Sequence, residues 1–288
     1  MVSLTVHPEK CSGCRICEMA CSGAHLGVFN PRKALLRIEI DRSPRLETEL
    51  SRIDVPVVCL QCDPAPCAEA CPDEARTLGA KVLVKMADVT NEDQVNGMVK
   101  EILSEFGKID ILVNNAFVMD RKVFCHSTRE DWDKPINVCL YGTLICTRAV
   151  IDSMIARKYG KIINLISDAA RVGEATSSVY AAAKGGILSF SRSLAKEVGR
   201  YNINVNCVSP GATWTERRIR EHQGEWEEAS EEERERIKKR EEKQLRAYPL
   251  GRLGEPEDVA NVIVFLASDR AKHITGEVIS VNGGYAMV

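Results

Sequence analysis

From residue 92 onward the chain alternates between two hydrophobic rhythms. IDILVNNA (109–116), KIINLIS (161–167), NINVNCVSPG (202–211) and EVISVNGG (277–284) are short runs rich in β-branched and other apolar residues. That is the pattern of strands covered on both faces of a parallel sheet. Between them, EDQVNGMVKEILSEFG (92–107), TLICTRAVIDSMIARK (143–158), SVYAAAKGGILSFSRSLAKEVG (178–199) and EPEDVANVIVFLASD (255–269) repeat apolar residues at three and four, the spacing of amphipathic helices. Gly199 marks one helix end, and Glu255-Pro256 opens another. VLVKMADVT (82–90) reads as a further strand, ending at Asp88. Strand and helix in strict turn predict an α/β fold, a parallel sheet with helices on both faces. One stretch departs from the rhythm. Residues 214–248 carry charges of alternating sign at helical spacing, which predicts a solvated helix.

The first 75 residues have neither rhythm, and their composition differs. Of 12 cysteines in 288 residues, eight lie before residue 72. They form Cys11-x2-Cys14-x2-Cys17-x3-Cys21 and Cys59-x2-Cys62-x4-Cys67-x3-Cys71-Pro72. Three closely spaced thiolates grip one iron–sulfur cube, and the fourth of each group commonly serves the other cube. On that logic Cys11, Cys14, Cys17 and Cys71 would hold one 4Fe-4S cluster, and Cys59, Cys62, Cys67 and Cys21 a second. Structural zinc is the main rival, although it favours paired Cys-x-x-Cys sites. The remaining four, Cys125, Cys139, Cys146 and Cys207, are scattered and read as buried structural thiols.

Over residues 4–75 the chain resembles the iron–sulfur electron-transfer subunits that accompany molybdenum or tungsten oxidoreductases. The resemblance implies two 4Fe-4S clusters and a redox partner protein. Those subunits usually carry two further Cys groups downstream, which do not follow here. The expected organisation is therefore a ferredoxin-like segment at 1–75 followed by a second unit at 76–288.

The second unit carries the candidate chemistry. Tyr180 and Lys184 stand one helical turn apart on one face, and Ser167 closes a buried strand thirteen residues upstream. A phenol with a pKa of about 10 is a poor proton carrier at neutral pH, and an ammonium one turn away favours its phenolate. Ser167 would hold a substrate oxygen by a hydrogen bond. Together these are a proton-transfer set for carbonyl and alcohol chemistry.

Asp88-Val89, Asn114-Asn115-Ala116, Asn137, Ser167, Tyr180-x-x-x-Lys184 and Pro210-Gly211 together resemble the short-chain dehydrogenase/reductase family from about residue 76 to the C-terminus. The resemblance implies NAD(P)-linked interconversion of a carbonyl and a secondary alcohol on a Rossmann-like sheet. Tyr180 would be the acid/base, Lys184 its pKa modifier and ribose ligand, Ser167 the substrate anchor and Asn137 a relay residue. Asp88 and Val89 would border the adenine. Asn114 and Ala116 would line the cofactor, and Thr213 or Thr215 would approach its carboxamide or pyrophosphate end. The family commonly forms dimers or tetramers. Its flap over the substrate corresponds to the charged stretch, where Arg217, Arg218 and Arg220 would meet the phosphates of an acyl-CoA.

Two departures from the family stand out. Phe117 replaces the usual Gly after Asn-Asn-Ala and would crowd the cofactor cleft. No Gly-x-x-x-Gly-x-Gly lies upstream of Asp88, so the sheet is expected to be incomplete, with its phosphate cradle absent. PVVCL or LLRIEI would serve as replacement strands. Three readings follow: a reductase fused to an iron–sulfur module, an electron carrier with a scaffold half, or a chimera of two truncated genes without nicotinamide binding. A net charge of −2 argues against a nucleic-acid partner, no apolar run approaches the ~20 residues of a membrane span, and no apolar leader opens the chain. The expected location is cytoplasmic.

Overall fold

The computed structural model describes residues 83, 85–119 and 121–288, the side chains of 216 and 217 excepted, and the backbone of three short strands upstream. Those strands are β1 (Val28–Phe29), β2 (Leu36–Arg37) and β3 (Val57–Val58). The eight cysteines proposed as cluster ligands lie outside the described residues.

Four longer strands build the sheet: β4 (Ile111–Asn114), β5 (Gly160–Leu165), β6 (Ile203–Pro210) and β7 (Val278–Val281). With β3 they form one five-stranded parallel sheet in the order β3-β4-β5-β6-β7. Three of the runs read as doubly covered strands are that, with every residue of β4 and β5 and all of β6 but Pro210 buried, whereas β7 is half-buried along its length. Alternate side chains serve opposite faces. Leu112 and Ile162 join α1 (Glu92–Phe106), α3 (Gly142–Arg157) and α5 (Ser178–Val198) in one core. Ile111, Val113, Ile163 and Leu165 meet Val259, Ile263 and Leu266 of α8 (Pro256–Ala267) in the other.

Helix ends follow the sequence cues. Asn91 caps α1 by accepting the Gln94 N–H at 3.1 Å, and Gly107 ends it in the left-handed region at φ 77°. Between β4 and α3 lie α2 (Arg129–Pro135) and a π-helical turn, Ile136–Tyr141. The run Arg129–Arg157 is thus one long helix. By length and composition it contains a window apolar enough to cross a membrane, with a mean hydropathy of 1.5. Counting uninterrupted apolar residues misses that window. Its buried members include Cys146, Val150, Ile151 and Met154, which pack in the first core.

Three expectations are corrected. Residues 83 and 85–88 do not form a strand. Asp88 opens a turn instead: its carboxylate accepts from the Thr90 N–H and hydroxyl at 2.9 and 2.8 Å. A strand needs a neighbour to satisfy its N–H and C=O groups, and β4 is flanked by β3. Val57 and Val58 pair in parallel with Val113 and Asn114, so PVVCL supplies the replacement strand. The charged stretch forms two helices rather than one, α6 (Glu216–Glu228) and α7 (Glu231–Arg246), the second started by a capping box between Ser230 and Glu233. Finally, Cys125 is exposed, whereas Cys139, Cys146 and Cys207 are buried as expected. Burial pushes the Cys146 thiol up to about 12.

Candidate active site

The candidate residues gather at the C-terminal ends of β4, β5 and β6, where parallel sheets bind their ligands. β5 ends at Leu165, and the chain turns through Ser167 into a short helix, α4 (Ala169–Val172). Ser167 Oγ accepts the Ala169 N–H at 3.2 Å, which holds the hydroxyl at the turn. α5 then passes this strand end and delivers Tyr180 and Lys184 from successive turns, both on its buried side. The Ser167 hydroxyl is near enough to the Tyr180 phenol to lower its pKa. Ser167, Tyr180 and Lys184 are therefore assembled in one place.

The electrostatics differ from a simple reading of the spacing. Tyr180 is only 8% exposed, and burial raises its pKa well above the usual phenol value. The Cys139 thiol adds to the rise, while the Ser167 hydroxyl works against it. Lys184 is 2% exposed. Its Nζ donates to the Leu165 carbonyl at 2.6 Å and lies 5.9 Å from the Tyr180 ring centre. Burial lowers its pKa. A buried ammonium on a neutral carbonyl is poised to lose its proton more readily than a surface lysine.

The other expected residues divide into those that reach this end of the sheet and those already engaged. Asn114 is buried at the end of β4, where its amide donates to Asn164 Oδ1 at 2.8 Å and Thr147 Oγ1 at 3.1 Å. Asn164 in turn donates to Ser191 Oγ, so this network ties β4, β5, α3 and α5 together. Ala116 is half-buried beside it. Phe117 is exposed, with its ring edge-on to Tyr180 at 6.5 Å between centres, so the bulky residue forms a wall of the site. Pro210 ends β6. Gly211 passes so close to Asn282 that a Cβ would lie 2.9 Å from that residue's Cβ, which accounts for glycine there. Thr213 Oγ1 donates to the Gly211 carbonyl at 3.1 Å.

Asp88, exposed, lies in the turn before α1. Val89 is 2% exposed and packs against Gly142, where a Cβ would meet it at 2.7 Å. It is a core residue, held inward by that contact. Thr215 caps α6, its Oγ1 accepting the Arg218 N–H at 3.3 Å. Asn137 is exposed on the π-helical turn, and its carbonyl accepts the Gly142 N–H. Cys139, fully buried, and Leu140 of that turn share a core cluster with Tyr180, and the Cys139 Sγ lies 3.5 Å from both the N–H and the carbonyl of Val118. The side chain of Arg217 lies outside the described residues, and Arg220 is exposed.

The sequence reading missed Asp168. It is buried next to Ser167 and accepts from Ser209 Oγ at 2.7 Å and Asn282 Nδ2 at 2.6 Å. Burial raises its pKa, and those two bonds oppose the rise. Arg171 on α4 bonds the Ser280 hydroxyl and the Val288 carbonyl. The Ser167 turn is thus fastened to β6, β7 and the C-terminal residues. The signal available was an acidic residue immediately after a buried strand, where an unpaired carboxylate would be costly. Among the described residues no cluster of His, Cys, Asp or Glu has the arrangement of a metal site.

The enoyl-(acyl carrier protein) reductase family model matches residues 48–286. A curated relative, the (2S)-[(R)-hydroxy(phenyl)methyl]succinyl-CoA dehydrogenase subunit BbsD of Thauera aromatica, is 40% identical over 215 residues, spanning 75% of this chain and 80% of its own. The 3-oxoacyl-[acyl-carrier-protein] reductase FabG of Thermotoga maritima is 37% identical over 211 residues, 73% of this chain and 80% of its own. The enzyme of the same name from Chlamydia muridarum is 36% identical over 220 residues, 75% of this chain and 82% of its own.

Proposed function

The chain belongs to the short-chain dehydrogenase/reductase family, and from that premise we propose that it is an NAD(P)-dependent oxidoreductase interconverting a carbonyl and a secondary alcohol on an acyl thioester. The observation that carries this reading is the pair Tyr180 and Lys184, buried on successive turns of α5 where the chain leaves β5 through Ser167. The substrate class follows the relatives, named for a 3-oxoacyl-[acyl-carrier-protein] and for a hydroxyl-bearing succinyl-CoA.

In this reading Ser167 donates a hydrogen bond to the substrate oxygen, and Tyr180 gives it a proton during reduction or takes one during oxidation. Because burial keeps the phenol protonated, the resting site is set for reduction. Lys184, buried on the Leu165 carbonyl, would contact the nicotinamide ribose. Ala116, Pro210 and Gly211 line the same end of the sheet. These residues fit the nicotinamide end of the cofactor, which supplies the hydride. Val89 and Thr215 would contribute to the adenine and pyrophosphate end mainly through their backbone, since their side chains pack and cap.

The test is a titration of the anaerobically purified chain with NADH and NADPH, followed by reduction of acetoacetyl-CoA at 340 nm. Saturable micromolar binding and turnover that falls by roughly 10²–10⁴ in Tyr180→Phe are expected. A folded protein that binds neither nucleotide overturns the reading.

The cysteine spacing supports a second proposal, two 4Fe-4S clusters on the N-terminal segment. Broad absorbance near 400 nm and about eight iron atoms per chain are the expected result. A colourless, iron-free protein from the same preparation excludes it. A cytoplasmic homo-oligomer completes the reading, checked by fractionation and light scattering.

A further inference from the structure

Phe117 stands on the boundary between Tyr180 and water. It is the third residue after β4, where the chain leaves the C-terminal end of the sheet. Its ring lies edge-on to the Tyr180 ring, 6.5 Å between centres and 62° between planes, a favourable arrangement for an aromatic pair. Phe117 is nevertheless 37% exposed, whereas Tyr180 is buried. An exposed apolar side chain is ordinary by itself; its neighbour singles this one out. The apolar residues clustered around Tyr180, among them Cys139, Ile166, Ala183, Met119 and Leu140, are buried or half-buried. Lys184, with its Nζ 5.9 Å from the Tyr180 ring centre, is buried as well. Among these neighbours, Phe117 is the one that also faces water.

The residues that flank Phe117 hold it there. Ala116 packs against the first core. Val118 is buried, with its N–H and its carbonyl each 3.5 Å from Cys139 Sγ on the π-helical turn. Met119 packs in the cluster that contains Tyr180. Further on, the Lys122 N–H donates to the Thr176 carbonyl at 2.8 Å, which ties this segment to the loop before α5. The backbone on both sides of Phe117 is thus anchored to the elements that carry Tyr180. Hydrocarbon in place of water beside a phenol disfavours its charged form. Burial is the largest cause of the raised pKa of Tyr180, and a ring placed between the phenol and solvent belongs to that burial.

We propose that Phe117 is a positioning residue that acts through Tyr180: its ring is the water-excluding cover of the phenol and keeps the proton on it while the site is empty. The use of that proton rests on the reductase reading above; the cover does not. The glycine usual at this position in the family would leave that side of the phenol to solvent, so the cover belongs to this chain.

The experiment needs neither cofactor nor turnover. Tetranitromethane nitrates a phenolate that it can reach, and peptide mass spectrometry of the full chain, treated at mildly alkaline pH, gives the rate at each tyrosine. Tyr141 and Tyr285, both exposed, and Tyr248, buried elsewhere, are the internal references. In the wild type Tyr180 should react far more slowly than Tyr141. Phe117→Ala should raise the Tyr180 rate by about tenfold, the change in phenolate fraction for one pKa unit, with the reference rates unchanged. Phe117→Leu keeps apolar bulk and should stay near the wild type. The same Tyr180 rate in the wild type and Phe117→Ala, or an increase that Phe117→Leu shares in full, overturns the proposal. If Tyr248 becomes reactive in Phe117→Ala, the fold has loosened, and the comparison is made on Phe117→Val with the same two outcomes. The kcat/KM for alcohol oxidation should also level off at a lower pH in Phe117→Ala than in the wild type, and superimposable profiles overturn the cover as well. Failure of the reductase reading is seen separately, as no nicotinamide oxidation with any thioester while the nitration pattern persists.

Discussion

The two flanks of β4 are built very differently. On one side stand β5, β6 and α5, where each chemical group is held by several elements at once. Lys184 is bonded to the end of β5, Asp168 is clasped by β6 and the segment after β7, and Asn114 is tied through Asn164 to Ser191. On the other side β3 contributes two residues of pairing, and the segment before α1 makes an Asp88 turn instead of a strand. In the proposed reductase, proton transfer would fall on the flank that is packed from three directions, and the adenine end of the cofactor on the flank where pairing is sparse.

Several measurements sharpen or break that contrast. Tyr180→Phe has the largest expected effect: turnover of an acyl-thioester substrate should fall by roughly 10²–10⁴, the range of a positioned acid/base group. The melting temperature should hardly move, because the buried ring is retained. Comparable turnover in the variant would remove Tyr180 from the chemistry.

Next comes Asp168→Ala, which leaves the Ser209 and Asn282 donors buried without their acceptor. Denaturant unfolding should show a loss of about 2 kcal/mol. If stability is unchanged, the tightly fastened side is less determined than its hydrogen bonds imply.

A pH profile gives an intermediate effect. Burial places Tyr180 above the ordinary phenol range, so it is a protonated acid throughout neutral pH and its phenolate is scarce. The kcat/KM for alcohol oxidation should therefore climb about tenfold per pH unit, while that for carbonyl reduction stays flat. A plateau in the oxidation profile near pH 7 would contradict this account of the site.

The smallest effect belongs to the other flank. Asn91→Ala removes the cap of α1 and should cost about 1 kcal/mol. Hydrogen exchange should report it at the start of α1, with turnover little changed. A loss of turnover as large as that for Asp168→Ala would show that the two flanks are coupled after all.

What could be read in advance depended on how local the cause was. The apolar-rich runs 111–114 and 160–165 became strands because both faces are covered, and the spacing of Tyr180 and Lys184 placed them together because a helix has a fixed pitch. Asp168 was not legible, since its partners Ser209 and Asn282 lie 41 and 114 residues away in sequence. The burial of Val89 was not legible for a similar reason. Its inward position depends on Gly142, which leaves room for it on α3.

Asn137 and Cys139 illustrate the same limit at shorter range. Their order in the chain is plain, but the π-helical turn rotates the helix face, so Cys139 packs with Tyr180 while Asn137 is exposed. The sequence by itself determined the α/β alternation, most helix ends and the Ser167–Tyr180–Lys184 set, because period, capping and pitch act within a few residues. The tertiary structure alone decided the partner of the β4 edge, the fastening of Asp168 and the state of the phenol. Those depend on which distant segments exclude water from a group, and burial, more than any neighbouring charge, sets the pKa of Tyr180.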